Sequence, residues 1–332
     1  MAEERKAFKD YFNLQYADEM GANLRAAYSR FNVDAYRSVL VDELESLEFR
    51  DRQLLLAQAL RAGLPTRYSR ALDVLVATLG EKLGESAKVM DEGFHYWPYG
   101  TFIEIFGVGE PASHSQSMAA IYELTQRFTG EFAIRPFLAA DANAVLPHLT
   151  EWVHDENSHV RRLVSEGSRP RLPWGRKLTV FAPNHREPLK LLGHLKRDRS
   201  EYVRKSVANH LNDISKENPS AVLNVCAKWW ASNNEQSRAI VQHALRGLVK
   251  AGDERALALL GYAPADDLRV VRFDISPKRL KLGILNSDAS PRPTACRLMA
   301  ELANAGRTAC PVLLDYRVIS PGRSGRDTQK VW

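Results

Sequence analysis

The chain is poor in residues that cross-link small secreted proteins or bind zinc. Among 332 residues it has three cysteines, Cys226, Cys296 and Cys310, and no CxxC motif. Their spacing fits neither a disulfide framework nor a zinc site. No apolar run approaches the ~20 residues of a membrane-spanning helix. The N-terminus, MAEERKAFKDYF, is charged where a secretory signal is apolar. We therefore expect a cytoplasmic protein that does not contact a membrane.

The sequence also lacks the common motifs of cofactor and metal enzymes. It contains no GxGxxG, P-loop, GxSxG, HExxH or EF-hand pattern, and so it predicts neither a cofactor nor a catalytic metal. The composition is otherwise ordinary, with 45% apolar and 26% charged residues. Such values exclude collagen-like and wholly disordered chains. At roughly 150 residues per domain, the length allows two domains.

The positive charge of the chain is concentrated in one segment. Residues 155–216 contain 14 Lys or Arg and 7 Asp or Glu, whereas the rest of the chain contains 32 and 33. The whole basic excess therefore lies within this segment. A face that binds a polyanion explains this distribution, and the alternative is a solubilising helix surface.

Residues 1–263 predict consecutive helices, because apolar residues recur at spacings of three and four. Two segments align at an offset of 43 residues: LTEWVHDENSHVRRLVSEGS from Leu149 and LGHLKRDRSEYVRKSVANHL from Leu192. A weaker copy begins at Trp229. The offset is typical of HEAT and armadillo units. We expect the shared Asp to cap the second helix of each unit, the Val to pack inward and the Arg to lie between units, in a helical solenoid.

After Tyr262 the sequence changes character. DLRVVRFDIS and CPVLLDYRVIS predict strands, whereas the stretch ILNSDASPRPTACRLMAELANAG between them does not alternate cleanly. We therefore expect a second, small β domain over residues 267–332. The chain stops after DTQKVW, where a further strand would be expected to complete the domain.

One segment, VRRLVSEGSRPRLPWGRKL, places an aromatic residue among arginines. Its first half is helical, and Pro170 and Pro173 then predict an extended turn that presents Trp174. Basic residues interleaved with an exposed aromatic suit a surface that follows phosphates and contacts a base or sugar. The alternative is a buried tryptophan at a helix junction, and the arginines around Trp174 favour exposure.

Two acidic residues are further candidates for chemistry. In FTGEFAIRPFL, Thr129 and Gly130 predict a helix start with Glu131 in the first turn. In VANHLNDISKENP, Asn212 and Asp213 predict the end of the second repeat's helix. Each carboxylate taken alone could simply complement a helix dipole or cap a helix. The first repeat, however, has different residues at the same edge, and functional positions differ between solenoid units where structural ones recur.

Together and in this order, EFAIRPFL, VRRLVSEGSRPRLPW and VRKSVANHLNDISK resemble the AlkC branch of the DNA alkylation repair glycosylases. The likeness covers about residues 1–262. The β tail resembles, less closely, the immunoglobulin-like domain that some members carry at the C-terminus, here shortened or altered. The resemblance implies a mainly α fold, a HEAT-like-repeat α-solenoid followed by a small immunoglobulin-like β domain.

The resemblance also implies a function. Family members are monofunctional hydrolases that remove cationic N-alkylated bases, such as 3-methyladenine and 3-methylcytosine, from double-stranded DNA, without cofactor or metal. A carboxylate near the sugar would stabilise the oxocarbenium-like transition state and activate water. Glu131 and Asp213 match the family's acidic positions, and Trp174 matches its aromatic one. The residues expected to bind DNA phosphates are Arg135, Arg161, Arg162, Arg169, Arg171, Arg204, Lys205 and Lys216.

Two expectations concern how this protein would act. A solenoid ridge offers no obvious pocket, so we expect recognition through backbone contacts and the weakened stacking of the damaged site, by a monomer. The competing hypothesis is a HEAT-repeat scaffold without enzymatic activity that binds nucleic acid or an acidic protein. The scaffold needs the basic face but no carboxylates among its arginines.

Overall fold

The computed structural model describes residues 7–85, 92–262, 268–276, 297–305, 315–318 and 328–331, and most of them are helical. The helices are α1 (Leu14–Ala27), α2 (Val33–Ser38), α3 (Phe49–Gly63), α4 (Tyr68–Ala77), α5 (Trp97–Phe106), α6 (His114–Thr125), α7 (Arg135–Ala140), α8 (Ala142–Trp152), α9 (Ser158–Gly167), α10 (Arg186–Leu195), α11 (Glu201–Ser215), α12 (Pro219–Ala231), α13 (Glu235–Ala244), α14 (Arg246–Lys250) and α15 (Glu254–Leu259), with short 3-10 helices at Phe8–Tyr11, Leu44–Ser46, Phe94–Tyr96 and Pro111–Ser113.

The predicted helical repeats are confirmed. The helix pairs α8–α9, α10–α11 and α12–α13 follow one another, and the second helices α9 and α11 begin at Ser158 and Glu201, 43 residues apart. Helix α11 packs between α9 and α13. Each of the three helices buries a valine completely: Val160, Val203 and Val241. The second helices of three successive units therefore form one continuous layer.

An arginine recurs at the fourth position of each second helix and fixes the loop before it. Arg161 donates to the carbonyls of Asp155 and Glu156 at 2.9 and 2.8 Å. Arg204, one repeat later, donates to the corresponding carbonyls of Asp198 and Arg199 at 2.6 and 3.0 Å. These arginines stabilise the repeat by holding the interhelical loop.

The repeated aspartate binds the turn before the second helix and does not cap the helix itself. Asp155 Oδ1 accepts a hydrogen bond from the Asn157 amide at 2.7 Å, and Asp198 Oδ1 accepts one from the Ser200 amide at 2.8 Å. The residues that precede the helices directly are Asn157 and Ser200. The prediction that the aspartate itself caps the helix is therefore wrong, because the aspartate shapes the turn that leads into the cap.

One buried ion pair joins the first unit to the second. Arg161 Nε and Nη2 donate to the two carboxylate oxygens of Asp198 at 2.6 and 2.9 Å, and both side chains are almost fully buried. We expect Asp198→Ala to lower the free energy of unfolding by about 3–5 kcal/mol, because it leaves a buried guanidinium without its partner.

Urea denaturation of Asp198→Ala against Asp18→Ala tests this expectation. Asp18 forms a solvent-exposed pair with Arg37 at 3.0 Å, and its loss should cost below about 1 kcal/mol. Equal destabilisation of the two variants would show that the Arg161–Asp198 pair does not hold the repeats together.

The strands follow the helices in the chain. β1 (Leu268–Ser276) pairs antiparallel with β2 (Arg297–Asn304), with an irregularity between Val270 and Arg272. β3 (Asp315–Val318) pairs antiparallel with β4 (Thr328–Val331). β1 and β3 confirm the two predicted strand segments within the described residues, whereas β2 lies in the stretch that does not alternate cleanly. The immunoglobulin-like type of this region stays a prediction.

The chain divides into two compact units, Met1–Leu248 and Val249–Trp332. The predicted division after residue 263 falls later in the chain and stays a prediction. No helix among the described residues is long and apolar enough to cross a membrane.

Candidate active site

The two candidate carboxylates lie at the ends of a continuous series of ion pairs. Glu131 Oε2 accepts a hydrogen bond from Arg162 Nη1 at 2.5 Å. Glu166 Oε1 lies 3.6 Å from Arg162 Nη2 and 2.6 Å from Arg169 Nη1. Arg169 Nε and Nη2 each lie 2.8 Å from Asp213 Oδ2. We call these five largely buried residues the ion-pair chain. It connects the turn before α7, helix α9 and helix α11.

Glu131 is placed by a turn that packs closely on its surroundings. A Cβ atom on Gly130 would lie 2.5 Å from the Thr125 hydroxyl, and one on Gly167 would lie 2.7 Å from Ile134. Only glycine therefore permits these approaches. The predicted helix start at Thr129 is wrong, since α7 begins at Arg135, where Pro136 suits the first helical turn because it has no amide hydrogen to donate.

Asp213 lies within helix α11, which extends beyond the predicted end at Asn212–Asp213 to Ser215. The Asp213 side chain is almost fully buried. Its Oδ2 accepts from Arg169, and its Oδ1 accepts from Lys216 Nζ at 3.0 Å. Both oxygens are thus occupied. By contrast, Glu131 Oε1 accepts no hydrogen bond within the described residues, so it is free to receive one from water or substrate.

Glu166, in the middle of the ion-pair chain, is a site residue that the sequence analysis missed. Its Oε2 accepts a hydrogen bond from the Ser206 hydroxyl at 2.5 Å. Burial alone would raise the pKa of Glu166, but Arg162, Arg169 and Ser206 outweigh it and hold the pKa below the ordinary value. Its position four residues after Arg162, on one helix face, was the available signal.

Trp174 is exposed, as predicted, with 59% of its surface accessible. Its backbone has φ 63°, in the left-handed region that residues other than glycine rarely adopt. Arg50 Nη1 holds this segment by donating to the Trp174 carbonyl at 2.9 Å. A strained tryptophan held by specific contacts is typical of residues that clamp ligands.

Arg135 joins the Trp174 segment to the ion-pair chain. Its Nη1 donates to the carbonyls of Gly167 and Arg169 at 3.0 and 2.7 Å, and its Nη2 donates to the carbonyl of Arg176 at 2.5 Å. Burial lowers the pKa of the Arg135 guanidinium to about 10. Glu131, Trp174 and Asp213 therefore belong to one connected framework.

The surface beside Trp174 contains a cavity, contrary to the expectation of a ridge without a pocket. Its volume is about 360 Å³, and its walls come from α3, α5, the segment around α7 and the Trp174 segment. Trp97, from the aromatic cluster GFHYWPYGTF, lines it together with Phe132, the neighbour of Glu131. The repeat pattern could not indicate this cavity, because α3 and α5 precede the repeats that the sequence revealed.

Several predicted phosphate-binding arginines have their guanidinium groups engaged inside the protein. Arg135 and Arg169 are almost fully buried, and Arg161 forms a buried ion pair with Asp198. Arg162 lies 4.8 Å above the Tyr202 ring and pairs with Glu131. A direct phosphate contact by these four stays a prediction that their geometry does not favour.

The other predicted phosphate-binding residues reach the surface or lie near it. Lys205 is exposed on α11, and Arg204 beside it is half-buried. Lys216 is about half exposed while paired with Asp213. Arg171 is similarly exposed and lies 3.5 Å from Glu217. These side chains form the accessible part of the predicted DNA-binding set.

No group of three or more His, Cys, Asp or Glu side chains in the described ranges is arranged to hold a metal ion. The charged groups of the site instead neutralise one another through ion pairs. The described side chains of the site include carboxylates, guanidiniums and aromatic rings.

Protonation of His210, next to the ion-pair chain on α11, should make stability depend on pH. Burial lowers the pKa of His210 from 6.5 to about 3, and Arg169, Arg135 and His185 face it. In the unfolded chain His210 therefore binds a proton below about pH 6.5, whereas in the folded chain it stays neutral down to about pH 3. We expect this group to cost about 2 kcal/mol of stability between pH 7 and pH 5.

Urea denaturation at both pH values, for the wild type and His210→Leu, measures this contribution. The variant should lose about 2 kcal/mol less on acidification, because leucine does not titrate. The same loss in both proteins would contradict a buried neutral His210.

Comparison with known proteins shows where this architecture occurs. A family model described as DNA alkylation repair enzyme matches residues 130–248, the segment that holds the whole ion-pair chain. YhaZ from Bacillus subtilis (strain 168) is 35% identical over 276 residues, which are 83% of this chain and 74% of YhaZ. The structure of Pseudomonas fluorescens alkylpurine DNA glycosylase AlkC, bound to DNA containing an abasic site analog, is also similar. It shows 31% identity and a TM-score of 0.81, covering 98% of this chain and 85% of AlkC. The chain therefore belongs to the DNA alkylation repair enzyme family.

Proposed function

We propose that this protein is a monofunctional DNA glycosylase that hydrolyses the N-glycosidic bond of cationic N-alkylated bases, 3-methyladenine and 3-methylcytosine among them. Its similarity to AlkC, an alkylpurine DNA glycosylase, supports the reaction class. Alkylation at N3 makes the base cationic, so that it leaves readily without a general acid. The protein's task is then to stabilise the positive charge that develops on the sugar and to supply water.

The placement of the carboxylates in the ion-pair chain is the observation that carries this proposal. Its three carboxylates, Glu131, Glu166 and Asp213, are held by Arg162 and Arg169, and Lys216 also pairs with Asp213. Glu131 keeps one oxygen, Oε1, without a partner among the described residues. A carboxylate fixed in place with one oxygen free suits the stabilisation of an oxocarbenium-like transition state.

The three predicted catalytic residues have distinct roles in this proposal. Glu131, through its free Oε1, orients and deprotonates the attacking water. Asp213 stabilises the positive sugar from the other end of the ion-pair chain. Trp174 presents an exposed aromatic face to the deoxyribose or the cationic base, a contact that contributes on the order of 0.5–2 kcal/mol.

Incubating methylated duplex DNA with the protein in the presence of a chelator, and separating the released bases by chromatography, tests the proposal. We expect free 3-methyladenine and 3-methylcytosine to appear with abasic sites and without strand cleavage. No release alongside salt-sensitive DNA binding would favour the non-enzymatic scaffold.

Lys205, which is exposed on α11, should contribute to DNA binding by contacting a phosphate. We expect Lys205→Ala to weaken binding and to reduce the slope of log K against log salt by about one counterion. Lys228→Ala is the matched control, since Lys228 is also exposed but lies on α12, a first helix of a repeat. Fluorescence anisotropy over a salt series measures both slopes, and equal slopes for the two variants would remove Lys205 from the interface.

A further inference from the structure

The second helices of the three repeats differ at their sixth position. Helix α9 has Leu163 there and helix α13 has Ile240, and both side chains are buried. Helix α11 has Ser206 instead, which is also buried. A buried hydroxyl without partners would destabilise the fold, so a polar residue at a core position requires hydrogen bonds. The bonds of Ser206 therefore explain why α11 departs from the apolar pattern.

Ser206 donates its hydrogen to the middle carboxylate of the ion-pair chain. Its Oγ lies 2.5 Å from Glu166 Oε2 and 2.9 Å from Ser165 Oγ. Burial would raise the pKa of Glu166, but Arg162 and Arg169 hold it below the ordinary value, so the carboxylate is ionised near neutral pH and only accepts. Because a serine has one hydroxyl hydrogen, Ser206 donates to Glu166 and accepts from Ser165. The series of hydrogen bonds from Ser165 to Glu166 therefore has one direction.

Glu166 connects the two ends of the ion-pair chain. Its Oε1 lies 2.6 Å from Arg169 Nη1 and 3.6 Å from Arg162 Nη2. Arg162 in turn pairs with Glu131, and Arg169 pairs with Asp213. Within the described residues, the donor to the other oxygen of Glu166, Oε2, comes from α11. A shift of the Glu166 carboxylate would therefore move both arginines, and the two proposed catalytic carboxylates with them.

We propose that Ser206 is a positioning residue for base release, because its hydroxyl fixes the Glu166 carboxylate between the two arginines that hold Glu131 and Asp213. Ser206 acts through Glu166 and does not contact DNA, since its side chain is almost fully buried. The inference rests on the proposed function, in which Glu131 and Asp213 catalyse the release of the base. A serine that only fills space between α9 and α11 would affect stability without affecting the charge of Glu166.

Replacing Ser206 by alanine should make the charge of Glu166 more sensitive to acid. Charged and titratable groups face Glu166 from α9 and the turn after it, from α11 and from α7; they are Arg162, Arg169, Tyr202 and Arg135. The substitution leaves all of them in place and removes one neutral donor to the ionised carboxylate, so the pKa of Glu166 rises. As the pH falls, Glu166 is therefore protonated earlier in the variant, and Arg162 and Arg169 then lose their common partner.

Single-turnover release of 3-methyladenine from duplex DNA at a series of pH values tests this role, with the release from DNA alone subtracted. We expect the ratio of the wild-type rate to the Ser206→Ala rate to rise about tenfold as the pH falls from about 8 to about 5, the effect of one hydrogen bond to a charged group. The affinity for abasic DNA should not change. In a Glu166→Gln background, Ser206→Ala should leave the ratio constant with pH, because glutamine does not titrate.

Two further variants separate the hydroxyl from the packing around it. Ser237→Ala is the matched control: Ser237 is fully buried on α13, but it donates to the Lys196 carbonyl at 3.2 Å, outside the ion-pair chain. Its rate should follow that of the wild type at every pH. Ser206→Cys keeps the volume of the side chain with a weaker donor, so it should change the pH dependence in the same direction as Ser206→Ala. This variant also tests the proposal if the alanine variant does not fold.

Titration of the Glu166 carboxyl by NMR, in protein labelled with carbon-13 at the glutamate carboxyls and assigned with Glu166→Gln, measures the same coupling without DNA. We expect a higher pKa of Glu166 in the Ser206→Ala or Ser206→Cys protein than in the wild type. An equal pKa, or a rate ratio that stays constant with pH, would overturn the inference. A wild type that releases no base would reject the proposed function, whereas the carboxyl titration would still decide whether Ser206 controls the charge of Glu166.

Discussion

The Asp213→Asn variant should release alkylated bases about 10²–10³ times more slowly than the wild type, the loss expected for one electrostatic stabiliser of a transition state. Asparagine keeps the size of the side chain but removes its negative charge. Arg169 retains its contact with Glu166 at 2.6 Å, so the framework keeps one of its two anchors. Single-turnover release from a duplex with one 3-methyladenine measures the rate, and circular dichroism verifies the fold.

A second carboxylate near the end of α11 provides the control for Asp213. Glu217 pairs with Lys177 at 2.9 Å and lies near Arg171, but it is not part of the ion-pair chain. Glu217→Gln should change the rate less than about threefold, because its partner Lys177 is exposed to solvent and Glu217 lies outside the ion-pair chain. Asp213→Asn activity equal to that of Glu217→Gln would exclude Asp213 from the mechanism.

The Glu131→Gln variant should also release alkylated bases about 10²–10³ times more slowly than the wild type, but for a different reason. Glu131 Oε2 is occupied by Thr129 and Arg162 at 2.9 and 2.5 Å, whereas Oε1 is free within the described residues. Glutamine can still accept from Arg162 but cannot take a proton from water. The loss should therefore appear in the single-turnover rate and not in the affinity for abasic DNA.

Glu123→Gln is the matched control for Glu131, because Glu123 also pairs with an arginine, Arg127, at 2.5 Å. It should leave both the rate and the affinity unchanged. A Glu131→Gln variant that binds abasic DNA weakly but reacts at the normal rate would indicate a DNA-binding role in place of a catalytic one.

The periodic features of this fold were the predictable ones. An Asp and a Val-Arg-basic pattern at an offset of 43 identified two units, and α9 and α11 begin that distance apart. β2 was missed because RLMAELANAG contains strong helix formers, and only its pairing with β1 makes it a strand. Two helix ends were misplaced. The helix predicted to start at Thr129 starts at Arg135, and the helix predicted to end at Asp213 continues to Ser215.

The site was predictable as a set of residues but not as a network. Glu131, Trp174 and Asp213 were selected one by one from their segments and from the resemblance. The sequence does not show which basic residues are buried. Arg135 and Lys205 were both predicted to bind phosphate, but Arg135 donates to three carbonyls inside the protein whereas Lys205 is exposed. The partners that bury Arg135 lie 32 or more residues away in the chain.

The double variant Glu131→Gln/Asp213→Asn tests the central claim most directly, namely that the ion-pair chain catalyses release of alkylated bases. Its single-turnover release of 3-methyladenine from duplex DNA is compared with that of the wild type, beside the affinity of both for abasic DNA. For the double variant we expect release at the rate of DNA alone, with binding to abasic DNA retained. Release by the double variant at the wild-type rate would contradict it.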